Sequence, residues 1–135
     1  MITVQVIDPK FIPQAWEMVE PMLARGLEHT DDYNIDQLKV YVNSGTWHLL
    51  AAIDEARQLR GVATVSVGNG ANDRTAVITS LGGKFVVTKE VFKQVCAIAK
   101  DMGATRVQVY ARDAAARLYE KIGLSKKATL MEIRL

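Results

Sequence analysis

The stretch from Gly103 to Leu124 constrains the fold most, because a strand pattern there runs directly into a helix pattern. Apolar Val107 and Val109 alternate with polar Arg106 and Gln108, as in a half-buried strand. The following residues offer a helix cap at each end and apolar positions at three- and four-residue intervals: Asp113, Ala115, Leu118, Ile122 and Gly123. The stretch therefore predicts a strand, a tight corner and a short amphipathic helix within a mixed sheet.

The composition predicts one compact domain over residues 1–135. The chain is 49% hydrophobic and 24% charged, as is typical of a globular protein with a sizeable core. No apolar run is long enough to span a membrane and no signal peptide is evident, so a cytoplasmic location is expected. Cys96 is the only cysteine, and its apolar helix face predicts a buried thiol rather than a nucleophile. The net charge of +2 is too small to indicate nucleic-acid binding by itself.

The first third of the chain predicts one strand and two helices. Residues 2–7 alternate as a strand does. A helix then starts near Pro13, and Pro21 should kink or split it because proline lacks the amide hydrogen. Asn34 can cap a second helix, which Gly45 would end.

The rest of the chain predicts an antiparallel meander and a second α/β section. Residues 47–53, 61–67 and 75–81 carry the meander, and a long amphipathic helix covers about 88–102. A final strand is predicted at 128–135, where Leu130, Glu132 and Arg134 alternate with Met131, Ile133 and Leu135. The predicted order is β-α-α-β-β-β-α-β-α-β, an α/β fold with a mixed, mostly antiparallel sheet flanked by helices.

The run from Arg112 to Leu124 resembles the signature of GCN5-related N-acetyltransferases, in which a strand precedes a pattern like N-x-x-A-x-x-L-Y-x-K-x-G-F. The matching positions are Ala115, Leu118, Tyr119, Lys121 and Gly123. Arg112 replaces the usual Asn, and Leu124 the usual Phe. The element order resembles this fold along nearly the whole chain, with one strand fewer at the C-terminal end. The resemblance implies acetyl-CoA as cosubstrate and an amine as acceptor.

The resemblance also implies a loop after the fourth strand that holds the coenzyme A pyrophosphate on its backbone amides, with the pattern Q/R-x-x-G-x-G/A. Glycines let the backbone approach phosphates, and the free amides and dipole of a helix N-terminus favour an anion. The motif should fall on residues 83–88, and neither of its glycines is there. The residues that remain for this role are Leu81, Gly82, Gly83, Lys84, Thr88 and, from the signature run, Arg112.

Two interpretations of that loop stay open. In one, Gly82, Gly83 and Lys84 form a variant phosphate loop, and Thr88 opens the anion-binding helix. In the other, the glycines only turn a strand and Thr88 is an ordinary helix cap. The β-branched Val86 and Val87 count against the first interpretation, because they stiffen the chain and crowd a close ligand.

Tyr119 is the candidate catalytic residue that the resemblance implies, as a general acid that protonates the departing thiolate. The alternative is a half-buried aromatic that packs on the sheet. Leu118, its neighbour, is predicted to lie in the core where the helix meets the sheet, so that Leu118→Ala would be strongly destabilising.

No general base is evident. His48 begins a strand, where a lone histidine more often lies at the surface or in a hydrogen bond than acts in catalysis. Thr79 and Ser80 could orient an amine or a water. The helix junction offers the further candidates His29, Asp31 and Asp32 for the acceptor side. We find no metal-ligand spacing, nucleophile elbow or paired carboxylates.

Three functions from different classes follow. The first is N-acetyl transfer to a small amine or a protein amine. The second is a degenerate member kept as a binding or structural module, resembling small acetyltransferase-like proteins encoded by bacteriophages. The third is nucleic-acid binding through a basic set whose charges alternate with acidic residues: Arg106, Arg112, Arg117, Lys121, Lys126 and Lys127. The shortened C-terminal end could also leave a sheet edge open for a homodimer.

Overall fold

The computed structural model describes residues 1–85 and 88–135, and within them it confirms the predicted fold class. The first half holds β1 (Thr3–Ile7), a short 3-10 helix (Pro9–Phe11), α1 (Ile12–Gly26), α2 (Ile35–Asn43) and β2 (His48–Ile53). The second half holds β3 (Leu59–Asn69), β4 (Arg74–Gly83), α3 (Lys89–Asp101), β5 (Arg106–Val109) and α4 (Asp113–Lys121).

The strands form one sheet in the order β1-β2-β3-β4-β5. The first four strands pair antiparallel, as the predicted meander requires. β5 pairs with β4 in parallel, from Thr75 opposite Arg106 to Ile78 opposite Val109. A parallel neighbour needs a crossover connection, and α3 supplies it. The sheet is therefore mixed and mostly antiparallel.

Each face of the sheet buries its own apolar cluster. On one face, α1 and α2 pack on Leu49 and Val62. On the other face, α3 packs on Leu50, Ala63 and Val65. The helices contribute residues at three- and four-residue intervals, among them Ile12, Trp16, Val19 and Leu23 of α1 and Val91, Val95 and Ala99 of α3. In the part of the chain that the structure describes, no helix has both the length and the apolar character to cross a membrane.

The predicted caps of α2 and α3 agree with the structure. Asn34 accepts a hydrogen bond from the Gln37 amide at 2.9 Å, and the Gln37 side chain accepts one from the Asn34 amide, which completes a capping box. Thr88 caps α3 by accepting from the Val91 amide at 3.2 Å. Pro21 does not split α1, which runs unbroken from Ile12 to Gly26 because its buried residues pack on the sheet on both sides of the proline.

The final strand predicted at residues 128–135 is not formed. This segment has no assigned secondary structure, and Leu130, Met131 and Ile133 are 73%, 84% and 83% exposed. A strand is stable only when it pairs with a neighbour, and none of the described strands pairs with this segment. The alternating sequence is therefore present without the pairing that would make it a strand.

Two predictions for α4 are wrong in detail. Arg112, not Asp113, occupies the N-cap position, and it makes no side-chain capping bond. Leu118 is 62% exposed and not in the core. Ala115 and Tyr119 of α4 are half-buried, as is its C-cap residue Ile122. Residues 118 and 119 both lie three or four positions from 115 and from 122. The helical spacing alone therefore could not decide which of the two side chains faces the sheet.

Candidate active site

The parallel strands β4 and β5 stop pairing part-way along β4. Their register ends where Ile78 lies opposite Val109, yet β4 continues to Gly83. Within residues 1–85 and 88–135, no strand pairs with β4 on this side beyond Ile78. We call this unpaired stretch of the β4 edge, next to the carboxyl end of β5, the gap; open α/β sheets commonly bind ligands beyond the carboxyl ends of parallel strands.

A β-bulge lies at the start of this gap. Thr64 of β3 pairs with Ser80, but Val65 pairs with Ile78, so Thr79 is an extra residue in β4. The Thr64 hydroxyl oxygen lies 2.7 Å from that of Thr79 and also contacts that of Ser80. The Thr79 hydroxyl donates to the Thr64 carbonyl at 3.0 Å. The three hydroxyls therefore hold the bulge together where β4 leaves β5.

Thr64 was not found by the sequence reasoning, which named Thr79 and Ser80 only. It is fully buried and lies on the same sheet face as α1, because its neighbours Ala63 and Val65 belong to the cluster under α3. Its polar side chain among the apolar residues Val62, Ala63 and Val65 was the signal that could have revealed it.

The backbones of α1 and β4 touch at the end of the gap. A Cβ atom on Gly82 would lie 2.3 Å from the Met22 carbonyl oxygen, and one on Gly26 would lie 1.9 Å from the Leu81 carbonyl oxygen. Gly83 has a φ of +64°, and a Cβ there would lie 2.9 Å from the Arg60 carbonyl oxygen. Packing and backbone conformation therefore require glycine at positions 82 and 83, whether or not a ligand binds nearby.

The turn after β4 carries basic side chains beside two grooves. One groove, of about 510 Å³, is lined by Arg60, Lys84 and Thr88 together with Met1, Ile2, Ala52, Glu90 and Val91. The other, of about 330 Å³, is lined by Arg25, Arg60, Gly83 and Lys84. Arg60 is paired with Asp54 at 2.7 Å, whereas Lys84 makes no salt bridge with any described residue. The predicted residues Gly83, Lys84 and Thr88 thus lie together, while Val86 and Val87 lie outside the described residues.

The loop between α1 and α2 is connected to the C-terminal part of the chain. Arg112 donates to the His29 carbonyl oxygen at 3.4 Å, and Arg134 contacts the Asp31 carboxylate. The predicted acceptor-side residues His29, Asp31 and Asp32 are all exposed in this loop. Among the described residues, Arg112 bonds to this loop, and no hydrogen bond or salt bridge joins it to Lys84 or Thr88.

Several solved structures with this architecture are acetyltransferases. An aminoglycoside acetyltransferase from an uncultured soil metagenomic sample, in complex with sisomicin, matches at a TM-score of 0.71 and 12% identity, over 99% of this chain and 95% of that one. Glucosamine-6-phosphate N-acetyltransferase from Arabidopsis thaliana matches at 0.64 and 15%, over 99% and 98%. A Trypanosoma brucei acetyltransferase matches at 0.65 and 12%, over the full length of both chains. The fold is that of the GCN5-related N-acetyltransferases.

The likeness to these acetyltransferases is confined to the fold. No protein-family profile matches the chain, and no curated protein sequence does. At these sequence identities a shared fold does not establish a shared activity, because one fold can carry many functions. The activity must therefore be argued from the site.

Tyr119, the candidate acid of the acetyltransferase signature, is half-buried in α4. Burial raises the pKa of its phenol, so the side chain is protonated at neutral pH. Its hydroxyl has no hydrogen-bond partner among the described residues. A protonated phenol without a protein partner can donate a hydrogen bond to a ligand. A half-buried tyrosine whose ring only packs on its neighbours would also be protonated and half-buried.

His48 and Cys96 do not belong to the gap between β4 and β5. His48 shares a sheet face with Leu50 and therefore lies on the α3 side, opposite Thr64. Burial, with a smaller effect from the charge of Arg74, lowers the pKa of His48. Cys96 is half-buried rather than buried, and burial raises the pKa of its thiol, which disfavours the reactive thiolate.

Proposed function

We propose that the protein is an acetyl-CoA-dependent N-acetyltransferase that acts on an amine. The observation that carries the proposal is the gap beyond Ile78 and Val109, which leaves the β5-facing edge of residues 79–83 unpaired among the described residues. A free strand edge can hydrogen-bond to the amide groups of an extended ligand, and the pantetheine arm of coenzyme A contains two such groups. The capped N-terminus of α3 follows this edge in the chain and suits a pyrophosphate.

The proposed donor site comprises Leu81, Gly82, Gly83, Lys84, Thr88 and Arg112. Lys84 is exposed and lines both grooves. The smaller groove also has Arg25 and no acidic lining residue, so a phosphate there would meet positive charge, whereas Glu90 lines the larger groove. The α1 backbone already occupies the space beside Gly82, which leaves that glycine unable to admit a phosphate from the α1 side. We therefore expect modest affinity for coenzyme A.

The proposed chemistry is direct transfer of an acetyl group. Acetyl-CoA supplies a thioester whose carbonyl carbon the neutral acceptor amine attacks. The new C–N bond forms, the C–S bond breaks, and the amine releases a proton to water. Tyr119 would give its phenol proton to the leaving thiolate and regain one from solvent. The hydroxyls of Thr64, Thr79 and Ser80 would fix the shape of the bulge. They would thereby fix the position of the β4 backbone next to the thioester.

The acceptor is proposed only as an amine. The acetyltransferases of this fold named above include one bound to the aminoglycoside sisomicin and one that acts on glucosamine-6-phosphate. In this chain the exposed α1–α2 loop carries Asp32, which would favour a positively charged acceptor, whereas its neighbour Asp31 is paired with Arg134. A cytoplasmic location, where acetyl-CoA is available, stays a prediction.

A binding module without catalytic activity is the alternative. It is favoured by the close packing at Gly82 and Gly83, which accounts for both glycines without a phosphate. Nucleic-acid binding has less support. Arg106 interacts with Asp73 at 3.5 Å, which partly neutralises the basic set.

Acetyl transfer is tested by incubating the protein with acetyl-CoA and a panel of amines: aminoglycosides, amino sugars, polyamines and lysine peptides. Thiol release is measured, and mass spectrometry detects the acetylated amine. We expect release that depends on one class of amine. Binding of acetyl-CoA without release for any amine in the panel would favour the binding module.

Lys84→Ala is expected to weaken acetyl-CoA binding about three- to tenfold, because an exposed charge next to a phosphate contributes a modest, salt-dependent attraction. Calorimetry at low ionic strength measures the effect. The matched control is Lys100→Ala, an equally exposed lysine in the last turn of α3, which should bind as the unmodified protein does. Equal losses in both variants would mean that net charge, and not a site at Lys84, governs binding.

A further inference from the structure

The side chain of Gln94, in α3, bonds to the backbone of β1 as a neighbouring strand would. Its amide oxygen accepts from the Val4 amide at 2.8 Å, and its amide nitrogen donates to the Ile2 carbonyl oxygen at 2.9 Å. Those two backbone groups point away from β2 and are the ones that an added strand would use. We propose that Gln94 takes the place of a neighbouring strand on β1 and thereby keeps a second copy of the chain from pairing with this edge.

The edge that Gln94 covers is the outer edge of β1. β1 is the first strand of the sheet, and no described strand lies beyond it. Because backbone groups alternate in direction along an antiparallel strand, the outward-pointing groups belong to Ile2, Val4 and Val6. Among the described residues, no side chain bonds to the backbone of Val6, and the Val6 side chain is 42% exposed. Gln94 therefore closes the first half of the edge and leaves the second half open.

β1 lacks the features that usually protect an edge strand. Residues 2–7 contain no charged residue and no proline, and Pro9 follows only after the strand has ended. The register of β1 with β2 is unbroken from Thr3 to Ile7, so the strand has no bulge either. An edge without charges, prolines or bulges pairs readily with another strand. Gln94 supplies the protection that β1 lacks in its own sequence.

A second copy of the chain is the partner that this edge fits. Two chains related by a two-fold axis present the same edge to each other, and an axis at Val4 aligns Ile2 of one copy with Val6 of the other. That alignment uses the outward groups from Ile2 to Val6, and it brings no charges together because the strand is uncharged. In the single chain Gln94 already holds the Ile2 carbonyl and the Val4 amide, so the central bonds of such a pair cannot form.

Gln94→Ala and Gln94→Asn test this role, with light scattering coupled to gel filtration and with residue-resolved hydrogen exchange. Alanine removes the side-chain amide, and the shorter asparagine draws it back from β1. We expect either variant to reach about twice the mass of the unmodified protein at high micromolar concentration, with the Val4 and Val6 amides becoming protected together. In the unmodified protein the Val4 amide should be protected at every concentration, and the Val6 amide should exchange freely.

Lys93→Ala is the matched control, because Lys93 is an exposed neighbour of Gln94 in the same turn of α3. It should have the mass and the exchange pattern of the unmodified protein. Adding Val6→Lys to Gln94→Ala should restore the mass of the unmodified protein, because the new charge would be buried against Ile2 of the other copy.

Results of three kinds would overturn the proposal. If both Gln94 variants keep the mass of the unmodified protein at every concentration, the edge does not need Gln94 to stay unpaired. If they associate while the Val6 amide still exchanges freely, or if Val6→Lys does not reverse the association, the copies join through a different surface. If the Val4 and Val6 amides of the unmodified protein become protected together as the concentration rises, Gln94 does not keep the edge from pairing.

Discussion

Gly82→Ala is expected to lower the free energy of unfolding by about 3 kcal/mol or more, because overpacking against backbone cannot be relieved by a rotamer change. The added methyl would lie 2.3 Å from the Met22 carbonyl oxygen, so α1 or β4 must shift. Urea denaturation measures the change as a lower midpoint at an unchanged slope.

The matched control for Gly82→Ala is Gly68→Ala in β3, where a Cβ meets nothing within 4 Å. Alanine there should leave stability unchanged or raise it by about 0.5 kcal/mol, since glycine in a strand costs conformational entropy. Equal midpoints for the two variants would contradict the close contact between α1 and β4, and with it the packing explanation for Gly82.

Tyr119→Phe is expected to reduce turnover about ten- to a thousandfold if Tyr119 is the general acid, because the change removes only the proton donor. The melting temperature should be preserved, since the half-buried ring remains. Because burial raises the pKa of Tyr119, the acid form persists at neutral pH, and loss of activity from its ionisation should begin at a higher pH than for an exposed tyrosine.

The control for Tyr119→Phe is Tyr41→Phe in α2, where the ring packs on Trp47 with ring centroids 4.6 Å apart. Removing that hydroxyl should leave turnover unchanged. Equal rates for the unmodified protein and Tyr119→Phe would assign Tyr119 a packing role and would leave the proton donor to water.

Features with local causes could be predicted from the sequence. Thr88 begins α3 because its side chain can accept from an amide three residues later, and Asn34 begins α2 for the same reason. The meander follows from alternation and from turn residues between the strands. The strand and helix patterns around Gly103 predicted a mixed sheet, and β5 is indeed parallel to β4. These elements were enough to identify the fold.

Features that depend on distant contacts could not be predicted. Leu118 and Tyr119 fit the helical period about equally well, and only the packing of α4 exposes the leucine. Residues 128–135 carry a strand pattern, but pairing needs a partner edge that the pattern cannot specify. The constraint on Gly82 comes from Met22, which is remote in sequence. Thr64 acquires its role from a bulge in the neighbouring strand.

Calorimetric titration with acetyl-CoA tests the central claim most directly. We expect a dissociation constant of about 10 to 100 μM. At about a hundred times that constant, binding should stabilise the fold by about 2.7 kcal/mol and raise the melting temperature by roughly 8 °C. An analogue that lacks the pyrophosphate should not produce this shift. No binding heat and no change in melting temperature at millimolar acetyl-CoA would contradict the acetyltransferase proposal.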